Sequence, residues 1–165
     1  MEPRFENLER VLNEFGQAFV NAVADYIIEA DGIATGEMLN TLDFSVEKEN
    51  GHYVVYLNHT DYFKYFDEGT EPHFPPVEPI QKWVQDKPVY PTADSNGKLP
   101  TVEQLGFLIA RKISRDGTEA RNVFERAKQS VIPEYEQKMA DALAQDFINN
   151  YLNGYNVEDW QILKI

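Results

Sequence analysis

The chain has 165 residues and a mass of 19.0 kDa, a length that suits one folded domain. It contains no cysteine, which excludes disulfides, thiolate metal ligands and a cysteine nucleophile. With 15 Lys and Arg against 28 Asp and Glu, its formal net charge is −13, so we expect neither tight nucleic-acid binding nor attachment to an anionic membrane surface.

Neither a transmembrane segment nor a secretory signal is expected. No apolar run approaches the roughly 20 residues that span a bilayer. Residues 1–4 lack the basic-then-apolar order of a signal peptide. We therefore expect a soluble protein that is made where it is used.

The first predicted element is a long helix. Asp31 and Gly32 provide its stop signal. The near-heptad period also fits a coiled coil, but it lasts only about four heptads, so we predict a helix that lies on a sheet. The apolar residues recur at spacings of three and four and form one stripe: Phe5, Leu8, Leu12, Phe15, Phe19, Ala22, Tyr26 and Ala30.

A β-hairpin is predicted next. Leu42, Phe44 and Val46 alternate with polar residues, as in a half-buried strand. Residues 52–57 form an apolar return strand. The Asn50-Gly51 pair between the strands is typical of a tight hairpin turn, because both residue types accept positive φ. The aromatic residues 61–66 that follow fit either a strand or a helix.

Helices are predicted for the second half. Pro79 suits the first turn of a short helix that runs through Trp83, and a polar loop occupies residues 86–100. Thr101 and Gln104 form a capping box that opens the next helix. The apolar positions of that helix are Val102, Leu105, Leu108, Ile109 and Ile113.

The last helix is predicted to begin with Asn122 as its cap and with Glu125 reaching back to it. Pro133 is expected to kink or restart this helix, because proline lacks the N–H of the helical ladder. Its apolar stripe is Phe124, Ala127, Val131, Tyr135, Met139, Leu143, Phe147 and Tyr151.

This order of elements predicts an α+β fold. A small, mainly antiparallel sheet would be packed by the long N-terminal helix and the C-terminal helices. We expect residues 1–154 to form a single domain and residues 155–165 to form a C-terminal arm.

The pattern offers little support for catalysis. The three histidines do not form the i, i+4 pair of a helical zinc site, and glycine-rich phosphate loops are missing. We expect no cofactor and no bound metal. The enzymatic alternative is a small acidic hydrolase that uses Asp67, Glu68 and His73, but adjacent carboxylates on a strand would point to opposite faces.

Aromatic residues around position 65 form the clearest candidate site. We predict that they form a subunit interface, although a small core would use such rings too. Gly69 and Thr70 are predicted to form a structural turn, since Gly69 permits a backbone conformation closed to other residues and Thr70 hydrogen-bonds the following turn. The aromatic set is Tyr62, Phe63, Tyr65, Phe66 and Phe74.

Four stretches in sequence order carry a family resemblance. They are residues 34–40, the aromatic run 62–70 that ends in Glu-Gly-Thr, the proline-rich run 75–84, and a stretch from residue 104 through Asp-Gly-Thr at 116–118 to near Phe124. Together they resemble the head–tail connector and tail-completion proteins of tailed bacteriophages. Residues 128–165 lie beyond the resemblance, and this chain is more acidic than the family pattern.

The resemblance implies a non-enzymatic virion protein of the neck or upper tail, made in the cytoplasm of the bacterial host. It implies assembly into an oligomeric ring, whose partners are further copies of the chain and other phage neck, portal or tail proteins. Sequence-specific nucleic-acid binding and membrane association are not expected. Which ring the protein forms is left open.

Two further expectations concern assembly. Trp160, Ile162 and Leu163 are large apolar residues that each cost on the order of 2 kcal/mol to leave in water, so we predict that the C-terminal arm docks on a neighbouring subunit, with its own domain as the alternative. If the ring encloses a DNA channel, we predict that acidic residues line it or its mouth, and the alternative is the outer rim. They are drawn from Glu6, Glu9, Glu14, Glu47 and Glu49.

Overall fold

The computed structural model describes residues 3–30, 36–87, 89–93 and 95–152. The architecture is α+β, with helices around a two-stranded antiparallel sheet, as the sequence predicts. No helix in the described segments is long and apolar enough to span a bilayer. In chain order the elements are α1 (Glu6–Glu29), α2 (Glu37–Asn40), β1 (Asp43–Glu49), β2 (His52–Asn58), α3 (Asp61–Glu68), α4 (Val77–Asp86), α5 (Val102–Asp116) and α6 (Val123–Phe147), which continues into a π-helical turn at Ile148–Leu152.

The two long helices α1 and α6 pack against each other in antiparallel directions. At one end, the Arg126 guanidinium near the start of α6 donates to the carboxylate of Glu29 at the end of α1, at 2.8 Å. At the other end, Asp146 of α6 accepts the backbone N–H groups of Asn7 and Leu8, at 3.1 and 2.8 Å. Asp146 is buried and caps the first turn of α1, which has no cap from its own side chains.

The core lies between α1 and α6. Val23, Ile27 and Val123 are fully buried there, and Phe19 of α1 meets Phe124 of α6 edge to face at 5.2 Å between ring centroids. The predicted stripe on α1 is displaced by one position along its second half. Val23 and Ile27 occupy the centre, and their neighbours Ala22 and Tyr26 border it half-buried.

The predicted stripe on α6 is correct from Ala127 to Met139, and it is wrong at the exposed Phe124 and beyond Met139. Ala127, Val131 and Tyr135 are buried as expected. Beyond them the small residue Ala142 and the capping residue Asp146 face α1, so that the large side chains at the next positions of the stripe turn outward. These exposed side chains are Leu143, Phe147 and Tyr151.

The hairpin forms with the predicted turn. Asp43 pairs with Asn58 and Glu49 with His52, and the turn residues Asn50 and Gly51 have φ values of 49° and 83°. The hairpin lies on α1 next to Gly16. A Cβ atom at this glycine would overlap the ring of Phe44, so Gly16 lets strand and helix approach closely.

Helices α4 and α5 form a separate packing unit, which we call the α4–α5 unit (residues 71–117). The two helices pack on each other, and neither packs extensively along α1 or α6. The small residues Gly106 and Ala110 of α5 are buried, and a Cβ atom at Gly106 would come within 2.7 Å of Gln81 of α4. The central cluster of buried apolar side chains includes residues of α1, α2, α3 and α6 but none of the described residues of this unit.

The helix starts show which capping predictions hold. Thr101 and Gln104 form the predicted capping box at α5, with bonds of 3.0 and 3.3 Å. The cap predicted at α6 is wrong, because Asn122 has a left-handed backbone and makes no capping hydrogen bond from its side chain. Glu125 instead accepts from Lys128 at 2.9 Å. Pro133 lies within a continuous helix and does not restart it.

Candidate interaction surface

The aromatic segment forms helix α3, and this helix places some of the predicted interface residues on the surface and others against the core. Tyr62 and Tyr65 of α3 are 56% and 58% exposed and are available to a partner. Phe63 is 3% exposed and belongs to the core, and its ring centroid lies 4.7 Å from that of the exposed His59. Phe66 is half-buried against the same core. Both phenylalanines therefore hold α3 in place. The burial of Phe63 corrects its assignment to a subunit interface, whereas Phe66 keeps part of its surface exposed.

Phe74 is exposed but belongs to a different surface. Its ring lies 6.1 Å from that of Phe107 on α5, so it extends the apolar surface of the α4–α5 unit. The predicted interface set therefore covers parts of two surfaces. The remaining predicted members, Trp160, Ile162 and Leu163, lie outside the described residues, as does the Asp31-Gly32 helix stop.

An apolar groove with a volume of about 480 Å³ opens beside the first half of α5. Phe107 and Leu108 are each 51% exposed, although the sequence pattern places Leu108 in the buried stripe. We call this feature the α5 groove; its lining residues are Thr92, Lys98, Leu99, Pro100, Gln104, Phe107 and Leu108.

Sequence reasoning did not identify the α5 groove. The available signal is the adjacent pair Phe107-Leu108, which is too wide for the single apolar stripe that an amphipathic helix buries. An apolar surplus of this kind on a helix marks a surface that another element or another chain can cover.

The two Gly-Thr motifs meet where the chain enters and leaves the α4–α5 unit. Thr70 and Thr118 form an antiparallel bridge, in which each backbone N–H donates to the other residue's carbonyl, at 3.1 and 3.0 Å. Their hydroxyl oxygens lie 3.0 Å apart. Gly69 and Gly117 precede the bridge with φ values of 71° and 70°. The predicted turn at Gly69 and Thr70 is therefore present, and the structure adds its partner.

Asp67 joins α3 to the start of α6. Its backbone carbonyl accepts the N–H groups of Arg121 and Asn122, at 2.9 and 3.0 Å, and its carboxylate accepts the N–H of Phe124 at 3.0 Å. This carboxylate replaces the predicted Asn122 cap, and its negative charge suits the positive end of the helix dipole. Asp67 thus has a structural role that its sequence neighbourhood does not reveal.

The three residues of the hydrolase alternative make separate contacts. Asp67 caps α6, whereas Glu68 lies 4.0 Å from Lys64 on the surface of α3. The imidazole Nδ1 of His73 donates to the carbonyl of Glu71 at 2.8 Å. Within the described part of the chain, no hydrogen bond or ion pair joins these three side chains, and no group of three or more His, Asp or Glu could hold a metal ion.

Comparisons with protein-family models, with curated proteins and with solved structures yield no match for this chain.

Proposed function

We propose that the protein is a structural component of a tailed-bacteriophage virion and forms part of an oligomeric ring in the neck or upper tail. The resemblance of four ordered stretches to connector and tail-completion proteins is the origin of this proposal. The observation that carries it is the bridge between Thr70 and Thr118, because it joins the second of those stretches to the fourth. The second and fourth stretches, which are far apart in sequence, thus meet at one point of the fold.

The distribution of exposed apolar residues supports an assembly role. Tyr62 and Tyr65 on α3 and the pair Phe107 and Leu108 on α5 are large side chains, each more than half exposed. Aromatic residues on a surface are typical of protein interfaces. A ring subunit needs two different surfaces of this kind, since each copy contacts one neighbour on either side.

The experiment uses particles from a host that carries the gene. We expect the protein in purified particles, at a fixed ratio to the portal protein by quantitative mass spectrometry. Disrupting the gene should leave filled heads and free tails that do not join, as seen by electron microscopy, and an intact copy supplied in trans should restore joined particles. Normal particles after disruption, or particles that lack the protein, would contradict the proposal.

A further inference from the structure

The α5 groove is accessible in the single chain. Phe107 and Leu108 form its apolar wall, with the exposed Leu99 beside them. Phe74 extends the same apolar surface through its contact with Phe107. The volume of the groove falls within the range of sites that hold a large aromatic or aliphatic group. It therefore has the size and chemistry to receive an apolar anchor residue.

The C-terminal segment has matching chemistry. Residues 153–165 lie outside the described residues, and they contain the apolar side chains of Trp160, Ile162 and Leu163 directly after two acidic residues, Glu158 and Asp159. We propose that this segment of one copy docks in the α5 groove of a neighbouring copy, with Trp160 as its apolar anchor. An exposed groove that receives an apolar peptide is a common mode of protein recognition.

Charge supports the pairing. The α4–α5 unit contains six Lys and Arg and six Asp and Glu, so it has no net charge, whereas the whole chain carries −13. Arg111 and Lys112 follow the groove residues Phe107 and Leu108 by one helical turn. The neutral unit is thus the part of the molecule that repels an acidic segment least, and these two cations favour the approach of Glu158 and Asp159.

Geometry favours a neighbour over the same copy. The C-terminal segment leaves from the end of α6, whereas the α4–α5 unit joins the body beside the start of α6. The 25 residues of α6 span about 37 Å. Trp160 follows Leu152 by eight residues, which reach at most about 29 Å when fully extended. Because α4 and α5 do not pack extensively along α6, no such packing brings the groove of the same copy towards the end of α6 where the segment begins.

A segment that docks in a groove elsewhere on the next copy makes a head-to-tail contact, and such contacts close into rings or extend into filaments. This inference deepens the proposed ring function, because it names the contact between neighbouring copies. The contact itself can be tested on the purified full-length chain, independently of any particle.

The test uses three full-length variants and native mass spectrometry. Trp160→Ser removes the anchor and Leu108→Asp alters the groove, so each should weaken self-association by about tenfold or more. Leu143→Asp is the matched control, since Leu143 is an exposed leucine of α6, away from the groove, and it should leave self-association unchanged. A mixture of Trp160→Ser and Leu108→Asp retains one intact segment and one intact groove, so it should form a dimer and nothing larger.

Several results would overturn the proposal. A wild-type chain that stays monomeric at every concentration would exclude the contact between copies, yet it would leave the particle experiment to decide the virion role. An unchanged mass with a lowered melting temperature for Trp160→Ser would mean that the segment docks on its own copy. Equal loss of self-association in Leu143→Asp and Leu108→Asp would exclude the α5 groove as the docking site.

Discussion

Gly69 and Gly117 lie where the chain enters and leaves the α4–α5 unit, each directly before a residue of the bridge between Thr70 and Thr118. Their φ, ψ values are 71°, −170° and 70°, −159°, in a region that only glycine adopts at little cost. A Cβ atom at Gly69 would overlap the carbonyl oxygen of Thr118 and come within 2.8 Å of the nitrogen of Ala120. At Gly117 it would overlap the carbonyl oxygen of Thr70. A side chain is therefore unfavourable at both positions for two independent reasons: the backbone conformation is strained for residues other than glycine, and a Cβ atom has no space.

Gly69→Ala and Gly117→Ala should each lower the free energy of unfolding by about 3 kcal/mol, because strain and overlap add. Gly97→Ala is the matched control. Gly97 also has a positive φ, of 77°, but a Cβ atom there would meet no other atom within 4 Å, so we expect a loss of only about 1 kcal/mol. Chemical denaturation measures all three. Equal losses at Gly69 and Gly97 would show that the bridge tolerates a side chain.

Tyr53 links the hairpin to α1. Its hydroxyl donates to the carboxylate of Glu9 at 2.8 Å. Burial, the hydrogen bond to Glu9 and the negative charge of Glu9 together raise the pKa of Tyr53 from 10.0 to about 12, and burial contributes most. Since the folded pKa exceeds the unfolded one, the stabilisation is complete below pH 10 and is lost as the pH rises from about 10 to about 12.

The pKa values of Tyr56 and Tyr62 are also raised, by the hydrogen bond to Glu49 and by burial respectively, but that of Tyr53 is raised most. An absorbance titration of tyrosinate should therefore end with a late-ionising group that Tyr53→Phe removes. Glu9→Gln should lower the pKa of that group, because the carboxylate no longer opposes the phenolate charge. Tyr65→Phe is the control and should leave the late ionisation in place. Persistence of the late group in Tyr53→Phe would assign it to another tyrosine.

At the residue scale, the sequence predicts what each residue does locally and misses its distant partners. The turn at Gly69 is predictable, because glycine after a helix accepts positive φ. That Thr118 pairs with Thr70 is not, since nothing local relates positions 48 residues apart. Asp67 is a similar case: its carboxylate caps a helix that begins 56 residues later, so local pattern favours a neighbouring asparagine in its place.

At the scale of elements, the chain contains two packing units: the larger core between α1 and α6, and the smaller α4–α5 unit. Val23 of α1 is fully buried in the core that joins α1 and α6. Val84 of α4 is buried within the α4–α5 unit, outside that core. Because the unit joins the body through the bridge between Thr70 and Thr118, we expect it to open locally at a lower free energy than the α1–α6 pair.

Hydrogen exchange on two matched variants tests this difference. Val23→Ala should lower the free energy of unfolding by about 2–3 kcal/mol and reduce amide protection throughout the described chain. Val84→Ala deletes the same two methyl groups but should reduce protection in α4 and α5 alone. A uniform loss in Val84→Ala would mean that both units unfold together.

Elements with strong local signals are predictable, and elements set by tertiary contacts are not. The Asn50-Gly51 turn and the Thr101 capping box both involve residues close in sequence, and both predictions are confirmed. The type of α3 is ambiguous from sequence because its dense aromatic residues obscure the period. The α5 groove escapes prediction because periodicity shows that a helix has an apolar surface but not whether another element of the same chain covers it.

At the scale of the whole molecule, the negative charge is concentrated away from the α4–α5 unit. Residues 1–70 contain fourteen Asp and Glu and only four Lys and Arg. The five glutamates predicted to face a channel all lie in this part, on the first half of α1 and on β1, and all are exposed. The contact between Glu9 and Tyr53 joins α1 to the hairpin. Glu47 and Glu49 flank Lys48, the partner of Tyr53, so they project from the sheet face that points away from α1. The five glutamates therefore belong to one part of the subunit but not to one flat face.

If the subunits form a ring on the particle axis, we expect glutamates of this set to line the channel or its mouth, since an acidic wall repels phosphates and leaves DNA mobile. Replacing Glu6, Glu9, Glu14, Glu47 and Glu49 with Gln should preserve the fold, because their exposed contacts contribute little, and should slow DNA release from assembled particles several-fold.

The matched control neutralises five acidic residues outside this set: Glu119, Glu125, Glu134, Glu136 and Asp141. It removes the same charge from the last part of the chain, so it should leave DNA release unchanged. Release is measured by the fluorescence of a DNA-binding dye after receptor-triggered opening. Equal slowing in both variants would show that net charge matters and position does not. An assembled particle whose five glutamates all lie on the outer rim would exclude the acidic channel, because charges there are screened over about 8 Å and do not reach the DNA.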